Sequence, residues 1–300
     1  MDRFLTLKVF VAVGEEQSFT AAARRLALSP PAVTRAVGAL EQTLGVKLLQ
    51  RTTRIVRLTE AGARYLLDCK RVLSELDDAD QAVSGAQVEV RGTLAITASV
   101  LFGRSFVAPL LHAFLGRHSK VNARALFVDR VVDLIEEGLD VAVRVAHLAD
   151  ASFTAIRVGA VRNVVCASPA YLKRHGVPRT PDDLQELSAF CFSADRSPPA
   201  WSFQVGKRTL SVRPTARMIV NSPEVAMQGA IASEGVTRVL SYQAASAIKA
   251  GQLRVILREF EPEPIPIHVI HREGKRAAAR VRAFVDFAVA ELRANPLLKA

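Results

Sequence analysis

The chain has 300 residues, 50% hydrophobic and 23% charged. That is globular composition, with enough length for two or three packed domains and no low-complexity tract. The formal charge of +11 fits a polyanionic partner, although bulk charge speaks to solubility and non-specific binding rather than to fold. No apolar run approaches the roughly 20 residues a membrane span needs. Asp2 and Arg3 open an amphipathic stretch with no apolar signal-peptide region behind it. Cys69, Cys166 and Cys191 are far apart, with no CxxC or Cys/His cluster. Neither a disulfide framework nor a zinc site is expected, and the expected compartment is the reducing cytoplasm.

Charge is unevenly spread. Residues 1–58 carry nine Lys/Arg against four Asp/Glu, 59–90 carry three against seven, and 91–300 carry 28 against 18. In chain order, Phe4, Leu7 and Val11 follow a helical period. Ser18 caps a second helix that turns Ala22 and Leu26 inward. Ser29-Pro30-Pro31 reads as an N-cap followed by proline in the first turn, where its missing N–H costs nothing. Val33, Val37, Leu40 and Leu44 then make one buried stripe, and Gly45 ends the helix. Val46–Leu58 is β-like and basic, with Lys47, Arg51, Arg54 and Arg57. The pattern is helix, turn, helix and basic hairpin wing.

Thr59 caps a long helix with Glu60 in its first turn. Leu66, Cys69, Leu73, Leu76, Asp80 and Val83 fall on alternating three- and four-residue steps, a coiled-coil-like seam with one polar position. A seam of this length needs something to cover it. Packing on its own domain or pairing with a second chain would each do so, and the acidic outer face favours pairing.

From Arg91 the pattern becomes α/β. Leu94, Ile96 and Ala98 alternate as in a strand. A helix is expected over 103–117, a strand over 121–128, a helix over 131–137 stopped by Gly138, and a strand over 139–145. Val164–Ala167 begins another strand–helix unit, with Ser168 as cap, Pro169 at the helix start and Gly176 at its end. Met218–Val220 precedes Ser222-Pro223-Glu224, which opens a helix. Short strands follow at 236–240 and 255–257, a late strand at 267–269, and a closing helix over 277–294. Such alternation implies parallel sheets with crossover helices.

The stretch 18-SFTAAARRLALSPPAVTRAVGALEQTLGVKLLQRTTRIVRLTEAG-62 closely resembles the signature of LysR-type transcriptional regulators. The resemblance continues through Val131-Val132-Asp133-Leu134, Glu137-Gly138-Leu139-Asp140-Val141-Ala142-Val143-Arg144, Ala167-Ser168-Pro169-Ala170-Tyr171-Leu172 and Gly251-Gln252-Leu253. It departs at Leu49, Thr34, Lys120, Val145-Ala146 and Glu234. The likeness implies an α/β protein with an all-α winged helix-turn-helix over 1–58 and a linker helix over 59–90. It implies an effector domain over 91–300 built like periplasmic binding proteins. Subdomain I of that domain would cover about 91–161 and 266–300, and subdomain II about 162–265. Implied partners are double-stranded DNA, a small-molecule effector, and further copies of the chain as a dimer through the linker helix or a tetramer. RNA polymerase is a further implied partner. No membrane, cofactor or metal is implied.

With the Val33/Leu40 stripe facing the core, Pro31, Arg35, Gly38 and Gln42 face away, and Ala32 and Thr34 flank them. This face suits a major groove. Arg35 can grip guanine in two places, Thr34 can meet a base or phosphate, and Ala32 a thymine methyl. Ser29 and the helix N-terminus suit a phosphate. Thr52, Thr53 and Arg54 in the wing would meet backbone or minor groove. In the α/β part, ligands are expected beyond the carboxyl ends of strands. Those places are Ser99-Val100, Arg144 and Asn221-Ser222, an arrangement that favours an anion, in particular a carboxylate, although Ser99 and Ser222 could equally be plain helix caps.

Catalysis is not indicated. GxSxG, HExxH, a phosphate-binding loop and GxGxxG are all absent. His268 and His271 are three apart on a strand and point to opposite faces. Asp182-Asp183 reads as a helix start after Thr180. An enzyme with a regulatory arm would need to turn over its ligand. A solute-binding transport component would need an export signal and no basic wing.

Overall fold

The computed structural model describes residues 2–51, 56–83, 90–148, 154–193, 199–271 and 277–300. The chain divides into two compact units, one over 1–92 and one over 93–300, with the short turn 135–138 grouped with the first.

The first unit runs α1 (Arg3–Glu16), α2 (Phe19–Arg25), α3 (Pro30–Leu44), β1 (Leu49–Arg51), β2 (Val56–Leu58) and α4 (Glu60–Val83). Each helix starts on a side-chain cap. Asp2 accepts from the Phe4 amide at 3.0 Å, Ser18 from Ala21 at 3.2 Å, Ser29 from Ala32 at 3.4 Å and Thr59 from Gly62 at 2.9 Å. Such a cap stabilises a helix by about 1 kcal/mol. Between α2 and α3 the turn places Ala27 at φ 53°, a left-handed conformation. Val33, Ala36, Val37 and Leu40 of α3 join Phe10, Val13 and Ala22 in one core. β1 and β2 pair antiparallel with Leu49 opposite Leu58, forming the base of the wing.

α4 departs in part from its expected role. Leu66 and Cys69 are buried in the core of their own domain, and Leu73 packs against it. Leu76 lies outside that cluster and is half-buried. The first turns of the expected intermolecular seam are therefore taken up within the domain. The physical reason is proximity: α1 and the wing supply apolar surface before a second chain can. The side chain of Val83 lies outside the described residues, as do Thr52, Thr53 and Arg54 of the wing.

The second unit opens with β3 (Gly92–Ala98), α5 (Val100–Phe102), a π-helical turn Gly103–Val107 and α6 (Ala108–Arg117). It continues through β4 (Val121–Phe127), β5 (Val141–Val145), β6 (Thr154–Val161), β7 (Asn163–Ala167), α7 (Pro169–His175) and a 3-10 turn Pro181–Glu186. Next come β8 (Ser188–Phe192), β9 (Trp201–Val205), β10 (Arg208–Val212), β11 (Thr215–Val220) and α8 (Pro223–Ile231). The chain closes with β12 (Val236–Leu240), α9 (Ser241–Lys249), β13 (Arg254–Ile256), β14 (Ile265–His271) and α10 (Ala279–Ala294). One sheet has the order β4-β3-β5-β14-β6, the other β11-β8-β12-β7-β13, and β9 and β10 form a separate hairpin. The chain thus crosses from the first sheet to the second between β6 and β7, and returns between β13 and β14.

Two expectations are corrected, and one element went unread. The sheets are mixed, not parallel: β14 runs antiparallel to both β5 and β6, and β7 antiparallel to both β12 and β13. Apolar runs reveal strands but not their direction. No helix forms over 131–137. Residues 134–138 make a turn, with Gly138 at φ 61°. Leu134 and Leu139 reach a small cluster with Ala95, Ala142 and Ile270, and so short a segment recovers little of the cost of starting a helix. The β9–β10 hairpin had a readable signal, the alternation of Trp201 and Phe203 followed by Gly206-Lys207. Gly206 has φ 60°, as a tight hairpin turn requires.

Candidate functional site

On α3, Pro31, Thr34, Arg35 and Gln42 are exposed and Ala32 and Gly38 half-exposed, opposite the buried stripe. Ser29, also exposed, holds the helix start. Thr34 returns its hydroxyl proton to the Pro30 carbonyl at 3.0 Å, leaving lone pairs of that oxygen outward.

Glu41, on the opposite side of α3, is a residue the sequence reading passed over. Its side chain is buried and accepts from the Leu48 and Leu49 amides at 3.0 and 3.1 Å and from Lys47 Nζ at 2.8 Å. Burial pushes its pKa up, but Lys47 and the two amides outweigh that and hold it below the usual value. The wing is thereby tied to the reading helix. Gly62 locks the same joint from α4: a Cβ there would lie 1.9 Å from the Leu48 carbonyl oxygen.

In the second unit, β3 and β5 are parallel with Ala98 beside Val143, so Ser99 and Arg144 lie at one end of that sheet. Asn221 and Ser222 follow the carboxyl end of β11, with the Ser222 hydroxyl accepting from Val225 at 3.4 Å. The two ends face each other. Arg104 pairs with Glu224 at 3.1 Å, and Phe102 and Phe106 both meet the Tyr242 ring edge-on, at 5.5 and 5.4 Å. These contacts bring the segment that follows Ser99 and Val100 beside the helix that Ser222 caps. Arg162 and Glu261 join the two crossover segments at 2.6 Å.

Two of the residues expected at the site have polar partners within the protein. The Val100 amide donates to the Asp129 carboxylate at 2.9 Å. Arg144 donates to the Val128 carbonyl at 3.0 Å and to Thr97 Oγ1 at 2.9 Å. Trp201 is core.

The family described as the bacterial regulatory helix-turn-helix protein, lysR family, matches residues 4–63. The LysR substrate binding domain matches residues 87–293. This chain belongs to the LysR family of transcriptional regulators. A transcriptional repressor of Pseudomonas aeruginosa is 30% identical to it over 99% of this chain and 94% of its own. The activator AaeR of Escherichia coli is 32% identical over 95% of this chain and 93% of its own. CrgA of Neisseria meningitidis, a solved LysR-type regulator, superposes with a TM-score of 0.62 at 29% identity, covering 97% of this chain and 99% of its own. The LysR assignment makes the second unit an effector-binding domain, and the curated relatives are named as regulators of transcription rather than enzymes.

In this LysR-type regulator the three cysteines are buried. Burial pushes the Cys69 and Cys191 thiols up to about 11 and Cys166 to about 12. None is a ready nucleophile. No group of His, Cys, Asp and Glu among the described residues could hold a metal. No helix among them is long and apolar enough to cross a membrane.

Proposed function

We propose that this regulator reads its operator with the exposed face of α3, Arg35 at its centre and Pro31, Ala32 and Thr34 beside it, while Ser29 and wing residues Thr52, Thr53 and Arg54 take the backbone. The effector is a small anion, in the first place a carboxylate, held in the crevice bordered by Ser99, Val100, Arg144, Asn221 and Ser222. α4 pairs two chains, so that two readers meet two half-sites. The observation that supports the effector reading is the Arg104–Glu224 pair, which joins the segment after Ser99 to the helix that Ser222 caps. An effector bridging those elements stabilises one placement of the subdomains, and it acts only as far as it prefers that placement.

For DNA, Arg35→Ala should lose about 1–3 kcal/mol of specific binding with the fold intact. Band-shift titration against specific and random duplexes reads this directly. Equal losses on both duplexes would demote Arg35 to a backbone contact. For the effector, a thermal-shift screen of small carboxylates on the full chain, followed by calorimetry, should find a ligand whose affinity falls in Ser99→Ala and Ser222→Ala. Unchanged affinity in both would move the ligand out of this crevice.

A further inference from the structure

β12 carries an arginine whose surroundings do not explain it. Arg238 lies on the sheet face that bears Val236, packed toward the β9–β10 hairpin, with its guanidinium 5.7 Å from the centre of the Phe203 ring. Phe203 is itself buried. β12 is an interior strand between β8 and β7, and Arg238 pairs across to Val165. β8 and β12 run parallel, with Val236 beside Ala189 and Thr237 beside Phe190. Arg238 is therefore one step nearer the carboxyl ends of both strands. Three residues on, α9 begins and delivers Tyr242 to Phe102 and Phe106, which follow β3 of the other sheet.

Among the described residues, no carboxylate pairs with Arg238 and no acceptor takes one of its five N–H donors. Burial alone pushes its pKa down to about 10, with no neighbouring charge acting on it. Four other arginines of the unit show the contrast. Arg144 holds Val128 and Thr97, Arg162 holds Glu261, Arg217 holds Glu234, and Arg280 holds the Thr93 carbonyl. A partly desolvated guanidinium with an aromatic face beneath it and its fork unused is costly unless something from outside completes it.

We infer that Arg238 is the anchor for the effector's anionic group, a small oxyanion presenting two oxygens to the guanidinium while the Phe203 ring backs it. This rests on the effector reading proposed above and deepens it. Arg144 is engaged by Val128 and Thr97, and Arg238 supplies the charge. The ring favours guanidinium over ammonium, because a planar cation can stack and chelate at once.

The test uses the full chain with acetate, succinate, benzoate, sulfate and phosphate as probes, and acetamide and benzamide as neutral counterparts. Thermal shift and calorimetry should show at least one anion binding the wild type and its neutral counterpart failing to bind. Arg238→Met should bind that anion at least about tenfold more weakly, and Arg238→Lys should be intermediate. Whether carboxylates or the tetrahedral anions bind identifies the oxyanion class. Without ligand, Arg238→Met should melt at or above the wild-type temperature, since it removes a buried charge with no partner. A variant that fails to fold, or melts lower while binding the anion normally, overturns the anchor and makes Arg238 structural. Neutral counterparts that bind as well as the anions overturn it while leaving an effector crevice in place. If no probe binds, both the anchor and the anionic effector fall.

Discussion

Gly62 is the position where one methyl group decides most. In an exposed helix, glycine to alanine gains about 1 kcal/mol. Here the new Cβ would sit 1.9 Å from the Leu48 carbonyl oxygen and 2.8 Å from its carbon, both backbone. No rotamer relieves that contact, and overpacking of this kind costs up to about 3 kcal/mol. Gly62→Ala should therefore lower the unfolding midpoint of the DNA-binding unit, as measured by denaturant titration, and a neutral or stabilised variant would contradict the joint described here. Glu41 gives that joint a pH dependence. Its folded pKa is depressed, so its stabilisation is present in full above the ordinary carboxylate value and is lost as pH falls through the folded one. Thermal melts between pH 7 and pH 3 should show wild type losing stability in acid more steeply than Glu41→Gln. At pH 7 that variant should be less stable by about 2 kcal/mol, the scale of hydrogen bonds to a charged group. Parallel pH profiles would show that the carboxylate is not what holds the wing.

At the scale of elements, the proposed pairing gives α4 two surfaces to serve. Leu66, Cys69 and Leu73 belong to their own core, whereas Leu76 lies beyond it. The two roles can be separated by substitution. Leu76→Glu places a charge on the free part of the seam and should yield monomers of undiminished stability. Leu73→Glu should also destabilise the domain, because it inserts a charge against packed apolar side chains. Sedimentation equilibrium and thermal melts on both variants distinguish these effects. A dimer that survives Leu76→Glu would place the pairing surface elsewhere. The 3-10 turn at Pro181–Glu186 shows an element readable in advance: Asp183 accepts from the Arg179 and Thr180 amides at 2.7 and 2.9 Å, as its position after Thr180 suggests.

For the regulatory unit as a whole, two kinds of contact join the elements of one sheet to those of the other, and their magnitudes differ. The Arg104 and Glu224 side chains are 60% and 42% exposed, so their pair contributes at most about 1 kcal/mol. Phe102, Phe106 and Tyr242 are buried, and truncating such a ring costs about 3–5 kcal/mol. Arg104→Gln should leave the midpoint of unfolding almost unchanged, while Tyr242→Ala should lower it clearly. Denaturant unfolding of both variants checks the ranking. The reverse order would mean that the rings do not couple the subdomains.

The DNA reader and the start of α4 were legible in the sequence because their causes are local. Ser18, Ser29 and Thr59 cap helices through amides three residues away, and the Val33–Leu40 stripe repeats within a few turns of one helix. The proposed effector site was legible only as a set of strand ends. What each polar group there bonds to depends on segments that meet through the fold: Val100 with Asp129, 29 residues on, Arg162 with Glu261, 99 on, and Arg104 with Glu224, 120 on. Nothing in periodicity or capping encodes such pairings. A guanidinium in sequence looks the same whether it is satisfied, as Arg144 is by Val128 and Thr97, or half-buried over a ring, as Arg238 is. Strand direction escaped for the same reason, since a buried strand shows the same apolar residues whichever way its neighbour runs. Tertiary structure decided these points because desolvation and partner choice are properties of a place in space, and sequence position does not reveal that place.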